Sequence, residues 1–111
     1  MLIFKVLRNE EFVKLENDSL SQGSKTDITD GYIHFSTKEQ LTETLDKHYR
    51  MEENLILMAV DSKTLGKKLL WEKGRGNQLF PHFYGKLKFD KAIWYAPLES
   101  QSNGYIFPSG F

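Results

Sequence analysis

The chain has 111 residues, of which 40% are hydrophobic and 27% are charged, and it contains no cysteine. Its 15 basic and 15 acidic residues balance, which argues against binding to duplex nucleic acid or to an anionic membrane. The lack of cysteine excludes disulfides, thiolate metal ligands and cysteine nucleophiles. Without a signal-peptide pattern or a long apolar run, we expect one cytoplasmic domain over residues 1–111.

The first 29 residues predict a strand, a helix and a loop. Residues 2–7 are mostly apolar and predict a buried strand. Asn9 is the expected N-cap of a short helix whose inward residues are Phe12, Val13 and Leu15. Residues 17–29 are polar and predict a long surface loop, which is a candidate flap over a site.

A strand and a second helix are predicted after the Asp30-Gly31 turn. In a strand over residues 32–35, the two-residue period puts Ile33 and Phe35 on one face. Tyr32, His34 and Ser36 then share the other face. The Ser36–Glu39 spacing is typical of a capping box, so we expect a helix that ends near Arg50. Its inward residues are Leu41, Leu45, His48 and Tyr49.

The remaining chain is predicted to be mainly strands. Residues 55–60 form a continuous apolar run, as in a central strand covered on both faces, and Asp61 and Ser62 cap a turn after it. Further strands are expected at 69–72, at 92–96 with Pro97 ending it, and at 105–107, after a loop closing on Asn103-Gly104. The order predicts an α+β domain with a mixed or antiparallel sheet and two to three helices.

Residues 71–85, WEKGRGNQLFPHFYG, fit neither an amphipathic helix nor an alternating strand, and we interpret them as an irregular segment that holds the site. Glu72 beside Trp71 is either a general acid or base, or a rim carboxylate paired with a nearby lysine. Arg75 lies between two glycines, either as a cation that binds an anion or in an ordinary turn.

His82 and Tyr84 would lie on one side of an extended segment, with Phe83 on the other. One interpretation is a ligand site, with His82 contacting a base or ribose and Tyr84 as a stacking platform. The other is a hydrophobic corner in which Phe80 and Phe83 fill the core. His34 has two interpretations as well: a structural histidine, or a cleft residue beside Tyr32 and Ser36.

Other classes of site lack a signal in the sequence. His34, His48 and His82 are far apart and no thiolate is present, so no metal site is predicted. No G-x-S-x-G elbow, P-loop or dinucleotide fingerprint occurs. The aromatic residues do not form an RNA-stacking signature.

Three strings resemble the sequence blocks of the domain of unknown function 952 (DUF952) family: DGYIHFST at 30–37, LILMAVD at 55–61 and WEKGRGNQLFPHFYG at 71–85. The resemblance runs from Ile3 to about Pro108. It implies an ADP-ribosyltransferase-like fold, because that family is usually placed there. The IHFS…LILMAVD half is also similar to part of the RNA 2′-phosphotransferases, which use NAD.

The resemblance implies roles for seven residues. Tyr32, His34 and Ser36 would line an NAD-like cleft, with His82 and Tyr84 facing it. Arg75 would neutralise phosphate, and Glu72 would be the carboxylate that acts on the nicotinamide ribose. The chain departs from the RNA 2′-phosphotransferases in its shorter length and its lack of an N-terminal RNA-binding lobe. Arg75 is the only plausible counterpart of their catalytic arginines, since Arg8 and Arg50 occupy a terminal and a helix-end position.

These patterns lead to one main hypothesis and two alternatives. The main hypothesis is a protein that binds a nucleotide or NAD-like small molecule, with NAD as the candidate cofactor and transferase-like activity, using His34, Glu72 and His82. The first alternative is a sensor that binds the ligand without chemistry. The second is an interaction domain in which residues 80–85 form a hydrophobic docking corner. The sequence does not indicate an oligomeric state.

Overall fold

The protein, described by a computed structural model, is defined for residues 1–102 and 104–111. These residues form three α-helices and nine strands joined by short 3-10 turns. The helices are α1 (Asn9–Asp18), α2 (Lys25–Asp30) and α3 (Leu41–His48). The strands are β1 (Leu2–Arg8), β2 (Leu20–Ser21), β3 (Ile33–His34), β4 (Leu55–Asp61), β5 (Leu69–Lys73), β6 (Leu79–Phe83), β7 (Leu87–Lys88), β8 (Ala92–Gln101) and β9 (Gly104–Ile106).

The largest sheet has the order β1-β4-β8-β9, and each of its pairings is antiparallel. Both of its faces are covered by apolar residues. Ile3 and Leu7 of β1 pack with α1 on one face, and Phe4 and Val6 pack with α3 on the other. Strand β4 lies between β1 and β8 and is buried over most of its length, which confirms the predicted central strand and explains its unbroken apolar run.

A second antiparallel sheet has the order β3-β6-β5 and is joined to the first at one point. Phe4 of β1 and Ser36 exchange backbone hydrogen bonds of 2.8 and 2.9 Å, and the amide of Phe35 donates to the carbonyl of Pro81 at 3.0 Å. The result is a small α+β domain with a curled antiparallel sheet and three α-helices, as the order of elements predicted. The cavity described below is lined by β1, β3 and β6 around this junction.

Helix α1 confirms the first predicted helix and corrects its details. Its N-cap is Arg8, whose backbone amide donates to the Glu11 carboxylate at 2.8 Å, so the helix begins at Asn9 itself. Phe12 is buried as predicted, whereas Val13 is 41% exposed. Leu15 is buried as predicted and lies on the same side of the helix as Phe12. At roughly 100° per residue, Val13 lies about 160° around the helix from Leu15 and falls outside the buried stripe.

The predicted loop at residues 17–29 is wrong, because it contains β2 and α2. Ser24 and Asp27 form a capping box: the Ser24 hydroxyl accepts from the Asp27 amide at 3.2 Å, and the Asp27 carboxylate accepts from the Ser24 amide at 2.9 Å. Gly31 ends the helix with φ of 87°. The polar residues that suggested a flap therefore cap a helix that is fixed to the core.

The start of the next helix is also corrected. Thr37 and Gln40 form the capping box, in place of Ser36 and Glu39, and a 3-10 turn precedes α3. Ser36 instead takes part in the bridge to β1. Leu41 and Leu45 are buried, which confirms the predicted stripe up to that point. His48 is exposed at the end of the helix.

The irregular segment predicted at 71–85 is instead largely the hairpin of β5 and β6, with a 3-10 turn at Arg75–Asn77 between the strands. Pro97 does not end its strand, since β8 continues to Gln101. Strand β9 pairs with β8 only from Glu99 onward, so one edge of β8 is unpaired at Pro97 and its missing N–H is tolerated there. The predicted turn at Asn103 lies outside the described residues.

Candidate functional site

A cavity of about 310 Å³ lies where the two sheets meet, and all three histidines of the chain line it. His34 comes from β3, His48 from the end of α3 and His82 from β6. Tyr32 and Arg75 contribute an aromatic ring and a cation to the same cavity. Histidines separated by 14 and 34 positions in the sequence are brought together only by the pairing of β3 with β6 and the packing of α3.

Asp27 is a buried carboxylate that holds one side of the cavity together. One oxygen accepts from Lys5 Nζ at 2.7 Å, and the other lies 2.5 Å from His34 Nδ1 and accepts from the His34 amide at 3.1 Å. Burial disfavours the charged form, but the hydrogen bonds from His34 and Lys5 outweigh it and hold the pKa of Asp27 well below its ordinary value. Asp27 is therefore an ionised anchor for two cavity residues.

Both ring nitrogens of His34 face carboxylates. Nδ1 contacts Asp27, and Nε2 lies 3.1 Å from an Asp30 oxygen. The backbone carbonyl of His34 also accepts from Lys5 Nζ at 3.0 Å. Because both nitrogens have protein partners, this ring is fixed in the cavity wall with neither nitrogen free for a ligand.

His82 is held from the side away from the cavity by Glu72. Its Nδ1 lies 2.7 Å from Glu72 Oε1, and the Tyr84 hydroxyl donates to the same oxygen at 2.7 Å. Alternating positions on β5 and β6 place these side chains on one face of the hairpin. The bonds from Tyr84 and His82 lower the pKa of Glu72, and the bond to Glu72 raises the pKa of Tyr84 to about 12.

Tyr32 packs against both histidine rings. Its ring is stacked on His82 with centroids 4.0 Å apart and an angle of 25° between the planes. It also lies 4.6 Å from His34 and 5.2 Å from Tyr84. Burial raises the pKa of the Tyr32 hydroxyl, so the ring is neutral under ordinary conditions.

Arg75 lies in the turn between β5 and β6, and its side chain lines the cavity. Its Nη2 donates to Thr44 Oγ1 at 2.9 Å, and Thr44 in turn is 2.9 Å from the Ser36 hydroxyl. Its Nη1 lies 3.6 Å from a Glu43 oxygen and makes no hydrogen bond within the described residues. The guanidinium stacks over Phe80 at 4.9 Å. Arg75 is thus a positioned cation with part of its hydrogen-bonding capacity unused.

Of the residues that the sequence singled out, the structure brings Tyr32, His34, Ser36, Arg75 and His82 to the cavity lining. Glu72 and Tyr84 lie behind His82, outside the lining. The nearby lysines are not the partners of Glu72, since its hydrogen bonds among the described residues go to His82 and Tyr84. Trp71 is more than one-third exposed.

The sequence interpretation missed Lys5, Asp27 and Thr44, which hold His34 and Arg75 in place. A lysine in the middle of an apolar strand and the Ser24–Asp27 spacing were the available signals for the first two. Arg8, set aside because of its terminal position, also lines the cavity. Its guanidinium makes two bonds of 2.8 and 2.9 Å to Glu52.

Residues 80–85, FPHFYG, were interpreted either as a ligand site or as a hydrophobic corner, and different residues of the segment fit each interpretation. Phe80 and Phe83 are buried, which confirms the core-filling interpretation for these two rings. His82 and Tyr84 lie on the opposite side from Phe83, as the alternation predicted. A docking corner that uses Phe83 is not supported, because that ring is in the core.

Two further features concern metals and membranes. Among residues 1–102 and 104–111, no three His, Asp or Glu side chains are grouped so that they could hold a metal ion. No helix of the described chain has the length and apolar character needed to cross a bilayer.

Comparison with known proteins shows the family of this chain. Residues 6–95 match the family described as protein of unknown function (DUF952). The crystal structure of protein CC0527 from Caulobacter crescentus is 37% identical, covers 95% of this chain and 92% of its own, and superimposes with a TM-score of 0.91. The solution NMR structure of CC0527 gives 38% identity, coverage of 94% and 90%, and a TM-score of 0.83. No curated protein matches the chain. The chain belongs to the DUF952 family.

Proposed function

We propose that the cavity binds a nucleotide or an NAD-like ligand, with phosphate beside Arg75 and the nucleoside against Tyr32 and His82. The observation that carries the proposal is the convergence of three histidines, the Arg75 cation and the Tyr32 ring on a single cavity. Perturbed titratable groups that meet in a concave site are a physical indication of ligand binding.

The available charge supports an anionic ligand. Lys5 and Arg8 are cationic residues of the cavity that are already paired with Asp27 and Glu52. Among the described residues, the carboxylate contact of Arg75 is a long one, of 3.6 Å to Glu43. A planar guanidinium with unused N–H groups is suited to phosphate oxygens, so Arg75 is the residue that would hold the phosphate.

The size of the cavity favours a small ligand. Ligand pockets commonly span about 300–1,000 Å³, and this cavity of about 310 Å³ is at the lower end of that range. It suits one nucleoside phosphate better than a complete dinucleotide. An NAD molecule would therefore place one nucleotide in the cavity and the other outside it.

The proposal extends to fold and activity. Two antiparallel sheets that meet at a cleft, together with the strings at 30–37 and 71–85, support an ADP-ribosyltransferase-like core. On that basis the ligand would undergo transfer or hydrolysis, with NAD as the candidate cofactor. A sensor that binds the same ligand without chemistry is the second candidate, because each contact described above serves binding as well as catalysis.

The test is a thermal-shift titration with AMP, ADP, ADP-ribose, NAD and inorganic phosphate. A ligand at a hundredfold its dissociation constant adds about 2.7 kcal/mol to the free energy of unfolding, which raises Tm by about ten degrees for a domain of this size. Arg75→Gln should remove most of the shift, and Arg50→Gln, an exposed arginine outside the cavity lining, should keep it. If none of the nucleotides shifts Tm, the proposal is wrong.

Product analysis separates the enzyme from the sensor. Protein saturated with the ligand that binds in the first test is incubated for hours, and the nucleotide products are separated by chromatography. An enzyme converts the ligand, and His82→Gln slows the conversion. A ligand that binds and is recovered unchanged identifies the sensor.

A further inference from the structure

We infer that Glu72 and His82 act as a pair in which Nε2 of His82 accepts a hydrogen bond from a ligand hydroxyl, so that the cavity prefers ribonucleotides to nucleotides lacking ribose hydroxyls. His82 is the residue that contacts the ligand, and Glu72 is its positioning residue. The inference rests on the proposed function, because it names the part of the nucleotide that His82 recognises.

The first step is the position of the proton on the His82 ring. Glu72 Oε1 lies 2.7 Å from Nδ1, and a carboxylate can only accept in this bond. The bonds from Tyr84 and His82 also lower the pKa of Glu72, which keeps its carboxyl ionised. A neutral imidazole has one N–H and one acceptor nitrogen. With the hydrogen on Nδ1, Nε2 is the acceptor.

The second step is that the ring is held in one orientation. His82 is only 6% exposed, and the Tyr32 ring stacks on it at 4.0 Å. The Tyr84 hydroxyl fixes the Glu72 carboxylate from the other side. Within the described residues Nε2 has no hydrogen-bond partner, while the ring lines the cavity. The acceptor therefore has a fixed place in the wall.

The third step distinguishes His82 from the other two histidines. Both nitrogens of His34 already contact carboxylates, from Asp27 and Asp30. His48 is exposed at the end of α3 and has no carboxylate partner in the described part of the chain that would fix its tautomer. His82 is the histidine that combines a fixed tautomer with an unpaired nitrogen at the cavity.

The acceptor at Nε2 requires a donor on the ligand. A phosphate at neutral pH offers mainly acceptors, and Arg75 is the group suited to it. The ribose hydroxyls are donors common to all ribonucleotides, whatever the base. A site built to pair with a hydroxyl discriminates against an analogue that lacks it, because its own polar group is then left unpaired.

The first experiment measures the tautomer without any ligand. Nitrogen-15 NMR of the imidazole rings should show His82 with its hydrogen on Nδ1 in the wild-type protein. Glu72→Ala should shift the ring towards a mixture of tautomers or towards Nε2–H, and Glu43→Ala, an exposed glutamate beside Arg75, should leave it unchanged. A wild-type ring with its hydrogen on Nε2 would overturn the inference.

The second experiment compares AMP with 2′,3′-dideoxy-AMP by calorimetry. The wild-type protein should bind AMP at least about tenfold more tightly, since one hydrogen bond lost to an unpaired acceptor is of that order. Glu72→Ala should reduce the difference. Glu72→Gln should retain it, because the amide oxygen can accept from the same Nδ1–H. UMP and dideoxy-UMP should show the same preference, which separates a ribose contact from a base contact.

The outcomes distinguish this inference from the proposed function. Equal affinity of the wild-type protein for AMP and its dideoxy analogue would overturn the inference and leave nucleotide binding standing. Absence of binding by any nucleotide would remove the proposed function and the ribose preference with it. The NMR result would still decide whether Glu72 fixes the His82 tautomer.

Discussion

At the scale of single residues, the buried pair of Lys5 and Asp27 has the largest structural consequence. Two charged side chains that are almost fully buried are tolerated because the carboxylate accepts from Lys5, His34 and the Ser24 amide. This arrangement connects β1, α2 and β3. The same carboxylate sets the position of one cavity histidine, so stability and site geometry depend on the same group.

We expect Asp27→Asn to destabilise the protein strongly at neutral pH, by about 3–5 kcal/mol, because Lys5 is left as an unpaired buried charge. The double variant Lys5→Met with Asp27→Asn should cost less than the sum of the two single variants, since neither charge is then left alone. Urea unfolding of the four proteins measures the coupling. If the destabilisation of the double variant equals the sum of the two single destabilisations, Lys5 and Asp27 do not interact as a buried pair.

The pair also predicts a dependence of stability on acid pH. The folded pKa of Asp27 lies below the ordinary value for aspartate, so the charged form stabilises the folded state at pH above about 4. This contribution is lost as pH falls below that value towards the folded pKa. Asp27→Asn should therefore flatten the acid side of the stability profile, and Asp46→Asn, an exposed carboxylate, should not.

Tyr84 offers a spectroscopic check on the Glu72 cluster. We expect its hydroxyl to deprotonate with a pKa of about 12, because the phenolate would face the Glu72 carboxylate. The ultraviolet difference between wild-type protein and Tyr84→Phe isolates this titration from the other tyrosines. Glu72→Gln should lower the midpoint towards the ordinary value of about 10. A wild-type midpoint already near that value would show that the hydrogen bond is absent.

At the scale of elements, the β5–β6 hairpin converts an unusual sequence into a site. Its two strands carry Glu72 and His82, and its turn carries Arg75. At Gly74, just before this turn, the backbone lies directly against the Phe80 ring and leaves no room for a side chain. A Cβ atom at this position would lie 2.7 Å from Phe80 Cδ1. The glycine thus lets the Phe80 ring support the guanidinium of Arg75.

We expect Gly74→Ala to destabilise the protein by about 1–3 kcal/mol, because the new methyl group forces Phe80 out of its place. The movement should also weaken nucleotide binding through Arg75. In a background of Phe80→Leu the same alanine should cost less, since the smaller side chain leaves room for it. Urea unfolding gives the free energies, and an equal cost in both backgrounds would rule out the steric explanation.

At the scale of the whole molecule, two sheets that meet at one bridge create the cavity. The bridge between Phe4 and Ser36 joins them, while the cavity lies between β1 and the pair β3–β6. Phe83 of β6 packs into the core with Ile33 and Leu87, so the second sheet is anchored by apolar contacts on the side opposite to its polar face. The face with His82 is then free to form the site.

This arrangement predicts different results when Phe83 and its neighbour Tyr84 are each replaced by aspartate. Phe83→Asp places a charge in the core and should abolish folding, because removing a buried phenylalanine alone costs about 3–5 kcal/mol. Tyr84→Asp should fold, since this ring is 42% exposed. Circular dichroism and thermal unfolding compare the two. A folded Phe83→Asp protein would mean that the Phe83 ring is not part of the core. Because Phe83→Asp is expected to unfold, the interaction-domain hypothesis should be tested with Tyr84→Asp.

The sequence by itself determined those features that depend on neighbouring residues. The apolar runs of β1 and β4 predicted two strands of the large sheet, and two-residue alternation placed His82 and Tyr84 opposite Phe83. These predictions hold because side-chain direction along a strand is a local property. The class of fold, α+β, followed from the order of such elements.

Tertiary structure decided what depends on residues distant in the chain. It brought His34, His48 and His82 to one cavity, paired Lys5 with Asp27, and placed Glu72 behind His82. The polar segment around Ser24 reads as a loop because the burial of Asp27 depends on Lys5, 22 positions earlier in β1, and only its capping box with Ser24 is local. Contacts of this kind arise from strand pairing and helix packing, and no local pattern of residues specifies them.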